Sequence, residues 1–402
     1  MTTAGSAAPP VPDPGGRRGL ATAAVAFGFW STMVGTTVPT PLYPLYERAF
    51  GLSPLMVTVA FALYACGVVV GLLAFGRLSD QVGRRPVQAA ALLVSLAAAV
   101  AFFLAHDLTL LLVGRVLSGL SAALITGAAT AGLTELAPAG RRARAGILAL
   151  AANMGGLACG TLLGGFCAQW APAPLRLPWV AQGILVIVAL TGLAAVPETV
   201  TRTVRATVTG RRVPATVTLQ RVGAPLARRR PGAPLALQRG SAALATSQTF
   251  RSFQTFQRLR IPEEIRGAFV RSALAAGSGF AVLGVLASMT GLFLTAELHV
   301  RNHTVAGLVV ALAFLGTGSG QLLVRVLSPR SALPWACTGL VAAPALLAAA
   351  LLATLLVPLL AAAVLTGLAT GTAVGAESPP SPPACPPSGA GKRSRRSSRS
   401  FM

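Results

Sequence analysis

Acidic residues are scarce in this chain. There are ten Asp and Glu among 402 residues, against 33 Lys and Arg, and the only lysine is Lys392. No apolar run has a carboxylate at its middle; Glu47, Asp80, Asp107, Glu135, Glu198 and Glu297 all stand at edges. The three histidines and five cysteines show no CxxC or HExxH spacing, so no metal site is assigned. Four of the cysteines (Cys66, Cys159, Cys167, Cys337) fall in apolar runs, where a thiol behaves as a small hydrophobe. "GAGKRS" (389–394) lacks the spacing and the hydroxyl residue after Lys of a phosphate-binding loop. With no nucleophile–base pair either, the expectation is a protein that is not an enzyme and has no cofactor.

Apolar residues make up 54% of the chain and charged residues 11%, with a mean hydropathy of +0.70. A soluble domain of this length needs far more charge to cover its surface, so the composition points to an integral membrane protein. The net charge of +23 would suit a nucleic-acid partner, but its placement excludes one. The arginines gather in short turns between apolar runs, in residues 201–262, and in the last eleven residues.

A hydrocarbon core of ~30 Å needs about 20 apolar helical residues to cross it. Residues 1–19 read as a disordered polar segment. Spans are then expected near 20–43, 54–76, 87–105, 108–134, 146–170 and 178–197, which form a first half ending near residue 200. Residues 201–262 read as a disordered basic linker, in which 204–239 fall into four nine-residue units closed by Arg212, Arg221, Arg230 and Arg239. Spans resume near 266–296 and 304–327. The stretch 333–376 is too long for one crossing and is expected to be a hairpin of two, with Pro358 near its turn. The second half (263–376) therefore shows four helices, and 377–402 reads as a Pro/Ser/Arg-rich disordered tail.

The result is an all-α polytopic bundle of ten crossings. Arg17/Arg18, Arg77/Arg84/Arg85, Arg141/Arg142/Arg144, the linker, Arg325/Arg330 and the tail share one side; only Arg48, Arg176 and Arg301 take the other. The positive-inside rule then places both termini in the cytoplasm.

On that topology "GRLSDQVGRRP" (76–86) joins spans two and three at the cytoplasmic face. Gly76 and Gly83 allow tight backbone geometry. Asp80 accepts hydrogen bonds, and Glu135, ending span four on the same surface, is the natural partner for Arg84 or Arg85. Such a cluster acts as a latch between helices.

The pattern Gly76–x–Leu78–x–Asp80–x–x–Gly83–Arg84–Arg85 resembles the signature loop of the major facilitator superfamily, and it lies where that family has it. Gln81 stands where the family often has Arg. The resemblance implies an alternating-access secondary transporter of two six-helix halves. "GRVLSGLSAALITGAATA" (114–131) is similar to the family's Arg-bearing fourth-helix motif and makes Arg115 the coupling candidate. The alternative is that Arg115 snorkels to the headgroups. "GLACGTLLGG" (156–165) resembles the fifth-helix signature of the family's antiporters, with Gly156, Gly160, Gly164 and Gly165 as a helix-packing motif and Thr161 where the family has Pro.

The spans offer few amides or carboxylates, which suits lipophilic or amphiphilic compounds better than sugars. Trp30, Thr36, Thr37, Tyr64, Asn153 and Gln321 are the candidate substrate-lining residues. The expectation is a drug-efflux-type antiporter, a monomer in the bilayer of the cell membrane, with a small-molecule substrate and protons as the coupling ion. Two alternatives stay open: a metabolite importer or facilitator of the same fold, or a truncated non-transporting remnant, since the family has twelve spans and ten are seen.

Overall fold

The computed structural model describes residues 14–76, 78–194, 196, 203–208, 211–216, 263–296, 302–324 and 329–376. Helices dominate them: α1 (Pro14–Thr37), α2 (Tyr43–Phe50), α3 (Pro54–Phe75), α4 (Leu78–Val82), α5 (Arg84–Phe103), α6 (Leu108–Leu136), α7 (Arg142–Trp170) and α8 (Leu177–Ala194) come first. They are followed by α9 (Glu263–Ala296), α10 (His303–Leu323), α11 (Pro329–Ala353) and α12 (Leu356–Ala376).

Local chemistry sets the boundaries. Asp107 caps α6 by accepting from the Leu110 amide (3.0 Å), and Asn302 caps α10 by accepting from that of Thr304 (2.9 Å). Pro39, Pro41 and Pro44 cut the first span short, so α1 gives way to the 3-10 turn Thr40–Leu42 and then α2. The stretch from 333 does break into a hairpin. Its bend is at Thr354, which takes a left-handed φ of 51°, and Pro358 falls within the first turn of α12.

Two differences from the sequence reading concern segments expected to be disordered. The first helix starts at Pro14 rather than near residue 20, because Pro is tolerated in a first helical turn. Within 201–262, Thr203–Val208 and Arg211–Thr216 pair as an antiparallel ribbon, with Thr203 opposite Thr216. Its β-branched residues favour extended backbone, and in a two-stranded ribbon Pro214 sits on an edge. Residues 1–13, the nine-residue units beyond Thr216 and the tail from 377 lie outside the described residues.

Among the described residues, eight helical stretches are long and apolar enough to cross a membrane. Two shorter apolar stretches, Gly277–Ser288 in α9 and Pro334–Ala350 in α11, occupy the remaining two expected positions.

Side chains such as Val69, Leu73, Ile184 and Val188 are exposed, as lipid-facing residues should be. Glycine, rather than apolar burial, brings the helices together. A Cβ on Gly119 of α6 would run into the Tyr64 carbonyl of α3, and Gly316 and Gly320 of α10 meet Gly367 and Gly371 of α12 backbone to backbone. The main seam between the halves joins α7 to α10. There Gly165 packs on His303, Thr304 and Gly307, and further along Met154 packs on Gly318.

Candidate functional site

Three polar features stand out in this apolar bundle. The first is a guanidinium clasp where α4, α5 and α6 converge. Arg84 donates through Nε and Nη2 to Glu135 Oε1 (3.1 and 2.8 Å) and through Nη1 to Ser79 Oγ (2.6 Å). Its Nη1 also lies 2.5 Å from Asp80 Oδ1. Arg84, not Arg85, takes Glu135; Arg85 donates to the Ala194 carbonyl (2.8 Å) and so caps the end of α8. Gly83, with φ 117° and ψ 156°, holds the backbone conformation that favours glycine, whereas Gly76 is in ordinary right-handed geometry. Of the sequence-predicted latch residues, Asp80, Arg84 and Glu135 are therefore brought together, with Ser79 as a member the sequence reading missed.

Arg115 is the second feature. Its side chain is only 1% exposed, so it points into the bundle and does not snorkel to the headgroups. Nε donates to the Tyr43 hydroxyl (2.6 Å) and Nη1 to the Thr36 carbonyl (3.0 Å). Four rings surround the charge: the guanidinium carbon lies 5.0 Å from the Tyr43 ring centre, 5.2 Å from Phe61, 5.9 Å from Tyr64 and 6.0 Å from Phe102. Among the described residues, Nη2 has no hydrogen-bond partner. Beside this site Trp179 stacks on Phe102 at 4.2 Å and donates to the Tyr46 hydroxyl (3.1 Å). Gln182 donates to the Ser31 carbonyl (2.9 Å), but its Oε1 is unpartnered. Gln182 was a legible signal, a lone amide in an apolar run.

The third feature is a shallow, widely open cleft of about 540 Å³ on one face of α6, lined by Thr126, Gly127, Thr130, Ala131, Thr134 and Glu135. These residues recur at three- and four-residue spacing and so share one face. It begins beside the Arg84 clasp. At the opposite end of the bundle the halves are zipped together: Gln169 Oε1 accepts from the His303 amide (3.0 Å), and Thr304 Oγ1 donates to the Gly165 carbonyl (3.4 Å).

The glycine motif divides by helical phase. Gly156, Gly160 and Gly164, four residues apart, lie against the Trp30, Val34 and Val38 carbonyls of α1. Gly165, one residue on, faces α10 instead. Thr37 ties the same seam by donating to the Leu157 carbonyl (2.7 Å). Thr161, fully buried, donates to the Ala158 carbonyl (2.9 Å) within α7.

The expected substrate-lining set is dispersed. Thr36 is buried and engaged with Arg115, and Tyr64 is one of the rings around that charge. Trp30 stacks on Phe27 beside α7, while Asn153 and Gln321 are partly buried on α7 and α10. None of them lines the α6 cleft.

The sequence profile of the Major Facilitator Superfamily matches residues 25–397. The chain belongs to that superfamily.

Among its relatives is the inner membrane transport protein YnfM of Escherichia coli (strain K12), 34% identical over 99 residues. That stretch is 24% of this chain and 22% of the relative's length. Two crystal structures of a bacterial homologue of the human lysosomal transporter Spinster share the fold. The inward-facing, unoccupied form has a TM-score of 0.58 and the inward-facing, occupied form 0.60; both are 18% identical to this chain. The match covers 90% of this chain and 74% and 73% of the two structures. This superfamily chain is thus a multi-pass integral membrane protein with a transporter fold, and not an enzyme.

Proposed function

We propose that the protein is a secondary transporter of hydrophobic or amphiphilic small molecules, working by alternating access and exporting them across the cell membrane. One observation supports this above the others. The α6 cleft is open beside the Arg84 clasp, while the halves are packed glycine against glycine at the far end. If the arginine-rich loops are cytoplasmic, this is an inward-open arrangement, ready to take substrate from inside. The cleft offers hydroxyls, small residues and one carboxylate, Glu135, a lining that suits amphiphiles.

Export of this kind needs a driving ion, and protons are the ion proposed. Among the described residues, the carboxylates nearest the features above are Glu47 and Asp80, in the short helices α2 and α4, and Glu135, at the end of α6. Arg115 is the coupling candidate because its buried charge joins α6 to α1 and α2. The latch role belongs to Gly76, Asp80, Gly83, Arg84, Arg85 and Glu135: the Arg84 bonds tie α4, α5 and α6 into one body that moves as a unit when the first half rocks against the second.

Everted vesicles acidified inside should accumulate an amphiphilic fluorescent substrate, and a protonophore should abolish the accumulation. Accumulation that survives the protonophore would refute proton coupling; no protein-dependent flux in either direction would refute transport.

A further inference from the structure

Arg115 presents five N–H groups, and two hydrogen bonds to it are made, to Tyr43 and Thr36. Among the described residues, Nη2 is buried and unpartnered, and no carboxylate bonds to the guanidinium. A bare cation inside a membrane bundle is expensive, and four aromatic faces offset only part of that. Near it, a crevice between α1, α5, α6 and α8 is lined by Thr32, Ser95, Ser118, Ser121 and Gln182 and is too narrow in this conformation to admit a water molecule. Gln182 Oε1, also without a partner, is 1% exposed overall. Beside Arg115 lies α2, whose Tyr43 and Tyr46 hydroxyls meet Arg115 and Trp179.

We propose that Arg115 and its aromatic surround form the headgroup site for an amphiphilic oxyanion (carboxylate, sulfonate or phosphate), closed over by α2 in the present conformation. Arg115 Nη2 is the charged donor left for it, and the rings of Phe61, Tyr64 and Phe102 suit the first carbons of an apolar tail. Gln182 Oε1 takes a donor brought with the ligand, either the proton of a protonated oxyanion or a water. The inference rests on the transport reading and narrows its substrate class: a site of net positive charge, its guanidinium paired with no acid among the described residues, disfavours lipophilic cations.

The oxyanion could be a free solute or the headgroup of an anionic lipid, and the test separates them. The full chain is placed in phosphatidylcholine nanodiscs and its thermal midpoint followed by tryptophan fluorescence during titration with decanoate, decanol or decyltrimethylammonium. Decanoate alone should raise the midpoint. In Arg115→Gln its apparent affinity should fall at least about tenfold, the scale of one lost charge-assisted hydrogen bond. Arg115→Lys should keep part of the rise. With phosphatidylglycerol added to the nanodiscs, a midpoint already raised in wild type but not in Arg115→Gln assigns the site to lipid; an unchanged decanoate response assigns it to the free solute.

Glu47, one turn beyond Tyr43 on α2, is the in-chain acid that could serve instead. Glu47→Gln should leave the decanoate response unchanged; a strengthened response in that variant would show that Glu47 competes for the guanidinium as its counter-ion and would overturn the proposal. So would equal responses to all three probes in wild type, a result that needs no variant to fold. Counterflow of a neutral probe, run alongside, tells failure of this site from failure of transport as a whole.

Discussion

The Arg115 guanidinium lies 2.6 Å from the Tyr43 hydroxyl and 5.0 Å from the centre of the same ring. One side chain of α2 thus supplies both an acceptor and an aromatic face to a buried charge on α6. Tyr43→Phe keeps the face and removes the acceptor, leaving a second guanidinium nitrogen without a partner. The variant should lose about 1–3 kcal/mol of stability, the cost of an unmet buried donor. Reversible unfolding in mixed micelles checks this; an unchanged midpoint would show that the ring alone holds Arg115.

The Arg84 clasp makes a different prediction, because its partners are unequally exposed: 14% for the Arg84 side chain, 35% for Glu135 and 59% for Asp80. Glu135 is therefore the partner that matters and Asp80 the weaker one, since exposed pairs contribute little. Arg84→Ala and Glu135→Gln should each slow transport, and the double variant should be no slower than the worse single one. A coupling of about 1 kcal/mol is expected. Initial rates in proteoliposomes measure it, and strict additivity would separate the two residues.

Glycine substitutions should sort by what each glycine touches. Gly160 abuts the Val34 carbonyl and the Thr37 hydroxyl, whereas a Cβ on Gly127 meets open space. Gly160→Ala should cost about 1–3 kcal/mol through overpacking, and Gly127→Ala should be tolerated in folding. Membrane abundance and thermal midpoints compare them. Gly83→Ala, forced to keep φ 117°, should be destabilising by about 1–3 kcal/mol through backbone strain alone.

How much could be read beforehand differs between features, for physical reasons. The pairing of Arg84 with Glu135 was legible because both are charged residues at span ends on one side, where few partners exist. The inward orientation of Arg115 was not, since sequence gives its depth in the span but not the helix phase against α1 and α2. The same ignorance of phase hid the division of the glycine motif: 156, 160 and 164 share a face by spacing alone, but only packing shows that Gly165 belongs to another seam. The α6 cleft was missed because Thr126, Thr130 and Thr134 look like ordinary helix-compatible hydroxyl residues. Nothing local marks them as uncovered. Span positions were legible throughout, because hydrocarbon thickness dictates them.

The central claim is that the α7–α10 seam and the α6 cleft open in alternation. With native cysteines replaced, spin labels at Trp170 and Asn302, flanking the Gln169–His303 bond, report the seam by pulsed dipolar spectroscopy. The account predicts a short distance in the present conformation and a second population, longer by several ångströms, that grows as substrate or a proton gradient closes the cleft. A single short distance under every condition, while labelled protein still transports, would contradict it.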